Sequence, residues 1–288
     1  MDVAVSIVRR ILIVACAAAA LYAPPGIAQQ AQQRITSEAS LINWWYSSTF
    51  GTGLYKVGPA VATVIRFPIS YRVREMQGEQ WGVNLIAPLT VGVYHLNLHE
   101  LNQIDLNQDV GAGSLVPGVE VEIQMSERWR LKPYAQLGGG WEAGNPPREA
   151  WVYSTGVKSL YRFPGTDYRV SLGNALFAAG YRVRGGSEEQ NIGVFQIGVN
   201  TETPWTVPLW NGETHFNVHA IVTRYWSRFA FADPEPGKLV VRDEYQVGFS
   251  FARAKPWTFM GFGVDAIGVG FRFANNVRGV SLYTEFPF

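Results

Sequence analysis

The stretch IRFPISYRVR sets Ile65, Phe67, Ile69, Tyr71 and Val73 on one face and Arg66, Ser70, Arg72 and Arg74 on the other. Side chains alternate across a strand, so an alternation this long describes an extended strand with one apolar face. VEVEIQM repeats the pattern, with Val119, Val121, Ile123 and Met125 against Glu120, Glu122 and Gln124. So does EYQVGFSF, with Tyr245, Val247, Phe249 and Phe251 against Glu244, Gln246, Gly248 and Ser250. Soluble strands average about 5 to 6 residues, whereas strands that cross an outer membrane need roughly 9 to 11. The lengths therefore favour a membrane barrel over a soluble β-sandwich.

Twelve such candidates begin near residues 43, 62, 81, 115, 129, 150, 167, 190, 214, 243, 258 and 278. The first, LINWWYSSTF, could instead be a short helix or a plug. The expected fold is all-β, a transmembrane antiparallel up-and-down β-barrel of about 12 strands following a cleaved signal peptide. Barrels of this kind join strands by short turns on the periplasmic side and longer loops outside. Turns around Gln77, Glu127, Gly165, Pro208 and Lys255 fall on one side, and loops around Ile104, Asn145, Gly186, Pro234 and Asn276 on the other. The 14-residue connection TETPWTVPLWNGET is the exception, a long segment on the short-turn side. Tryptophan favours the membrane boundary. Trp81, Trp129, Trp205, Trp210 and Trp257 sit at predicted periplasmic strand ends, and Trp141, Trp151 and Trp226 at external ones.

The N-terminus reads as an export signal. Arg9 and Arg10 precede the apolar run ILIVACAAAALYA, followed by Pro24, Pro25 and the small residues Gly26 and Ala28. Cleavage is expected after Ala28. This divides the chain into a signal peptide at 1–28, a short segment at 29–42 and a barrel at 43–288. Ile13 to Cys16 mimic a lipoprotein box, but the apolar run before Cys16 is too short for that signal. Removing the signal removes the single cysteine, so disulfide and thiolate chemistry are not expected. It also leaves equal numbers of basic and acidic residues, which gives no support to a nucleic-acid partner.

With the apolar stripe facing lipid, the polar stripe faces the lumen. Arg66, Arg72, Arg74, Arg130, Lys132, Lys158, Arg162, Arg169, Arg182, Arg184 and Arg272 would collect there, against Glu120, Glu122, Glu244, Asp265 and Glu285. The functional reading is a passage biased towards anions. An equal reading is a structural network filling a narrow barrel.

His95 and His99 in HLNLH, and His215 and His219 in HFNVH, fall at opposite ends of different strands, so no shared metal site is expected. No G-x-S-x-G, H-E-x-x-H or phosphate-loop motif occurs. The expectation is no catalytic residue, no cofactor and no metal, with a lipid- or lipopolysaccharide-modifying barrel enzyme or a surface-loop binding protein as alternatives.

The last 21 residues, GVGFRFANNVRGVSLYTEFPF, resemble the closing hairpin of bacterial outer-membrane β-barrels. The resemblance implies recognition by the barrel-assembly machinery through Val280, Leu282, Phe286 and Phe288, with Thr284 less apolar than usual. A signal peptide followed directly by one barrel is also similar to the solitary autotransporter-type β-barrel family, which lacks a secreted passenger. That implies residence in the outer membrane among lipid and lipopolysaccharide, a structural or passive passage role, and an open question of oligomeric state. Continued alternation to the last residue would place Phe286 and Phe288 in the periplasmic aromatic girdle.

Overall fold

The computed structural model describes residues 51–57, 60–76, 81–95, 111–143, 147–165, 167–187, 189–209, 212–230, 240–259, 262–275, 277–284 and 286–288. Its first strand segments are β1 (Thr52–Val57), β2 (Ala60–Phe67), β3 (Ser70–Arg74), β4 (Gly82–Ile86), β5 (Leu89–His95), β6 (Gly111–Leu115) and β7 (Gly118–Ser126). Longer ones follow: β8 (Trp129–Glu142), β9 (Arg148–Arg162), β10 (Arg169–Val183), β11 (Glu189–Leu209), β12 (Gly212–Ala230) and β13 (Val240–Phe259). The last two are β14 (Phe262–Ala274) and β15 (Val277–Tyr283).

Three pairs of segments are single strands interrupted by proline. Phe67 pairs with Leu89 and Ser70 with Ile86, so β2–β3 and β5–β4 share one register across the gap. Leu89 with Leu115 and Ile86 with Gly118 carry that register into β6–β7. Leu115 with Gly139 and Gly118 with Gln136 carry it into β8. The fifteen segments therefore form twelve strands, each antiparallel to the next. The pairing of Thr52 with Leu282 through Val57 with Val277 closes the ring.

The interruptions line up as Pro68, Pro88 and Pro117 on neighbouring strands. Proline has no N–H to donate and is disfavoured inside a sheet. Across this crease the wall is held by Ala87 N–H to Ile69 O at 2.7 Å, Val116 to Pro88 at 3.3 Å and Leu137 to Pro117 at 2.9 Å. Amide hydrogen exchange should therefore be faster at Ala87, Val116 and Leu137 than at the centre of β10. Equal protection at both places would refute this.

The outer face is apolar over much of its height. Phe67, Tyr71, Leu137, Leu176, Val222, Ile267, Phe271 and Leu282 are all exposed there. Exposed tryptophans flank it, with Trp81, Trp129 and Trp205 toward the short turns and Trp141, Trp151 and Trp226 toward the loops. The side chains of Trp210 and Trp257 lie outside the described residues.

One expectation needs correction. The segment TETPWTVPLWNGET is not a loop. β11 and β12 run on beyond a bulge between Glu202 and Thr206, pairing Thr206 with His215 and Leu209 with Gly212. Its alternating threonine, valine and tryptophan residues continue the hairpin, and the apparent long connection on the turn side disappears. The first described strand starts at Thr52. The segment beginning near residue 43, like the signal peptide and its cleavage at Ala28, lies outside the described residues, as do the loops around Ile104 and Pro234.

Candidate functional site in the barrel interior

On the loop side of β9 to β12 many inward positions are apolar, like the outward ones. Val152, Ala175, Phe177, Ala179, Tyr181, Ile192, Val194, Ile221 and Tyr225 are buried, and with Tyr55, Ala62 and Val64 from the facing wall they form one contiguous core. A barrel wide enough for water at this level would leave such side chains wetted. Instead they meet across the lumen, filling its loop-side half as a soluble protein fills its core.

Charges inside this half come in matched pairs. Arg272 Nη1 lies 3.1 Å from Glu244 Oε1, with only 9% and 3% of the side chains exposed. Lys158 reaches Glu120 at 3.1 Å, and Arg148 approaches Glu142 at 4.0 Å. Tyr225 Oη lies 3.5 Å from Glu244 Oε2, and the Arg272 guanidinium stands 5.9 Å from the centre of the Tyr55 ring. Burying an ion costs several kcal/mol unless a partner and hydrogen bonds replace its water, and for Arg272 and Glu244 both do.

A directed chain of hydrogen bonds leads from that pair toward the turns. Arg272 Nε donates to Gln246 Oε1 at 3.1 Å. Gln246 Nε2 faces His219 Nε2 at 3.2 Å, and an amide N–H can only donate, so this ring nitrogen accepts. The proton is thereby assigned to His219 Nδ1, 3.0 Å from Tyr283 Oη. Tyr283 in turn donates towards Phe249 O at 2.8 Å or Val269 O at 3.0 Å. Its ring lies flat over β13 and β14, where a Cβ on Gly248, Gly268 or Gly270 would crowd it.

Beyond His219 and Tyr283 the lumen widens into a cavity of about 1120 Å³ at the turn end. Among the described residues its wall carries Arg72, Arg128, Arg130, Lys132, Arg162, Arg169 and Arg253 against Glu122 and Glu202. Arg169 is paired with Glu202 at 3.1 Å and Arg130 Nε donates to Gln124 at 3.2 Å. Arg162 feels the like charges of Arg130 and Arg169 beside it. Here cations outnumber anions.

Phe288 forms part of the cavity floor. Regular pairing ends at Tyr283, and the chain then turns inward, leaving Phe288 only 4% exposed. Its ring covers Gly173 and Gly198, a cross-strand pair on β10 and β11 where any Cβ would collide with it. Phe286 packs beside it with ring centres 4.9 Å apart, and Lys132 Nζ donates to Phe288 O at 3.4 Å. The girdle position expected from alternation is therefore corrected for both rings, since Phe286 also lines the cavity with its centre 6.1 Å from the His219 ring. Two adjacent glycines make a socket inside the wall that an outward ring could not use. Leu282 remains exposed on the outer face.

Of the basic residues assigned to the lumen, Arg72, Arg130, Lys132, Arg162 and Arg169 line the cavity. Lys158 and Arg272 sit in the inner ion pairs. Arg66 continues the inward row of β2 opposite Thr90. Arg74 lies at a bulge and donates to Trp81 O at 2.7 Å. Arg182 and Arg184 are corrections. Arg182 is an odd number of residues from Arg169, so one regular strand cannot face both inward, and Tyr181 and Val183 occupy the interior instead. Arg184 pairs with Glu149 at 2.8 Å and stacks over exposed Trp151 at 4.3 Å on the outer loop side. Glu120, Glu122 and Glu244 face inward, while the side chains of Asp265 and Glu285 lie outside the described residues. Glu202 was missed because it lies in the segment read as a loop.

No family model and no curated protein matches the chain. Among solved structures it is similar to the crystal structure of the beta domain of the Bordetella autotransporter BrkA. The TM-score is 0.49 at 10% identity, over 80% of this chain and 91% of that one. Likeness of that degree carries no functional inference. The class rests on the register itself: a closed antiparallel β-barrel of twelve strands.

Proposed function

We propose that this barrel resides in the bacterial outer membrane in a structural role, with a lumen closed by side chains toward the loops and basic toward the turns. The membrane reading is supported by the apolar outer face between two tryptophan belts. Outer-membrane lipid and lipopolysaccharide would cover that face. The assembly machinery would read Val280, Leu282, Phe286 and Phe288. The closed lumen is carried by one observation, the contiguous core that joins Tyr55 to Val152 and Val194 across the interior. A non-catalytic role agrees with His219, whose ring nitrogens face Gln246 and Tyr283 rather than a nucleophile.

The test is conductance in planar bilayers, using protein whose gel mobility shifts on boiling as a folded barrel's does. The expected result is no steady channel. A sustained anion-selective current would overturn the closed lumen and restore the passage reading.

A further inference from the structure

In the packed half of the lumen three cations pair with three glutamates, whereas among the described residues the turn-end cavity is lined by seven arginines or lysines and two glutamates. Positive charge concentrated in a concave, partly desolvated space attracts anions from solution. The cations are also unevenly placed. Arg72, Arg130, Lys132 and Arg162 come from β3, β8 and β9, on one side of the ring. The facing wall, from β11 to β13, offers Asn200, Asn217 and Ser250, with Arg253 near the rim.

Asn217 supplies a second, independent observation. It is 7% exposed and lines the cavity, and its Oδ1, itself without accessible surface, has no hydrogen-bond partner among the described residues. A ligand hydroxyl can donate or accept, so it can pair with whichever amide atom the cavity exposes. The volume, about 1120 Å³, slightly exceeds the roughly 300–1,000 Å³ typical of small-molecule pockets.

We propose that this cup binds a small polyhydroxylated anion of the sugar-phosphate class. Its phosphate lies against Arg130, Lys132 and Arg162, and a hydroxyl reaches Asn217. Guanidinium groups match phosphate oxygens in bidentate geometry, and the facing amides and hydroxyls match a sugar ring. The proposal rests on the basic turn end described above but not on residence in a membrane. A bilayer current would overturn the closed lumen and leave the binding result untouched.

The experiment is titration calorimetry on the folded full-length barrel in detergent, with glucose 6-phosphate, inorganic phosphate and glucose as probes. Glucose 6-phosphate should bind saturably and more weakly as salt rises, at least about tenfold tighter than phosphate, with no measurable glucose binding. The pair Arg130→Gln and Arg162→Gln should weaken it by at least about tenfold. Asn217→Ala should abolish the preference over phosphate, and the outward control Arg184→Gln should change nothing. Boiling-dependent gel mobility verifies that each variant is folded. Competition by dihexanoyl phosphatidylglycerol would assign the site to a lipid headgroup, and its failure to compete would assign a free solute. Glucose 6-phosphate binding no tighter than phosphate, or unchanged in the double variant, would overturn the proposal.

Discussion

Arg272→Met should lower the stability of the folded barrel by about 3–5 kcal/mol, the usual cost of removing one partner of a buried ion pair. Glu244 would then be left without its cation in a space walled by Tyr55, Tyr225 and the apolar core, with Tyr225 still in hydrogen-bond contact at 3.5 Å. The loss would also free Gln246 Oε1 and loosen the chain that orients His219. Combining Arg272→Met with Glu244→Gln should recover a large part of the loss, because an unpaired charge costs more than an apolar replacement of the pair. The readout is the urea midpoint of reversible unfolding in detergent. A single variant as stable as the double variant would contradict a penalty from the stranded carboxylate.

The second large effect concerns Phe288. Phe288→Ala should destabilise the purified barrel by about 3–5 kcal/mol, as expected for emptying an aromatic site in a packed interior. This loss must occur on refolding in detergent, where no assembly machinery is present. Assembly in cells should fall as well, since the residue also belongs to the proposed recognition signal. The two roles separate cleanly. Unchanged stability of the purified protein together with poor assembly in cells would eliminate the socket role and leave only recognition.

Strand number, direction and the location of most turns were legible because an outward face against lipid must be apolar at every second residue. IRFPISYRVR and EYQVGFSF display that rule openly. β10 hides it, since Leu176 faces out while Phe177 and Tyr181 face in, and both faces look alike. The misplacement of Arg182 follows directly: a polar side chain was taken to mark the lumen where the lumen is apolar. The cup was only partly legible. Its cations alternate with outward residues, but Asn217 and Glu202 acquire meaning from neighbours on other strands. Phe288 was hidden for a different reason. Its pattern continues the outward stripe, and only Gly173 and Gly198, 115 and 90 residues earlier in β10 and β11, reveal the space that receives it.

The proline crease also divides the wall mechanically. On its turn side lie β3, β4 and β7, a panel that contributes Arg72 and Glu122 to the cup. On its loop side lie β2, β5 and β6, next to the packed half of the lumen. A missing donor at three neighbouring positions makes this line more compliant than the uninterrupted ladders of β9 to β11. Bending concentrated there can change the width of the cup's mouth without repacking Tyr55, Tyr225 or the ion pair between them.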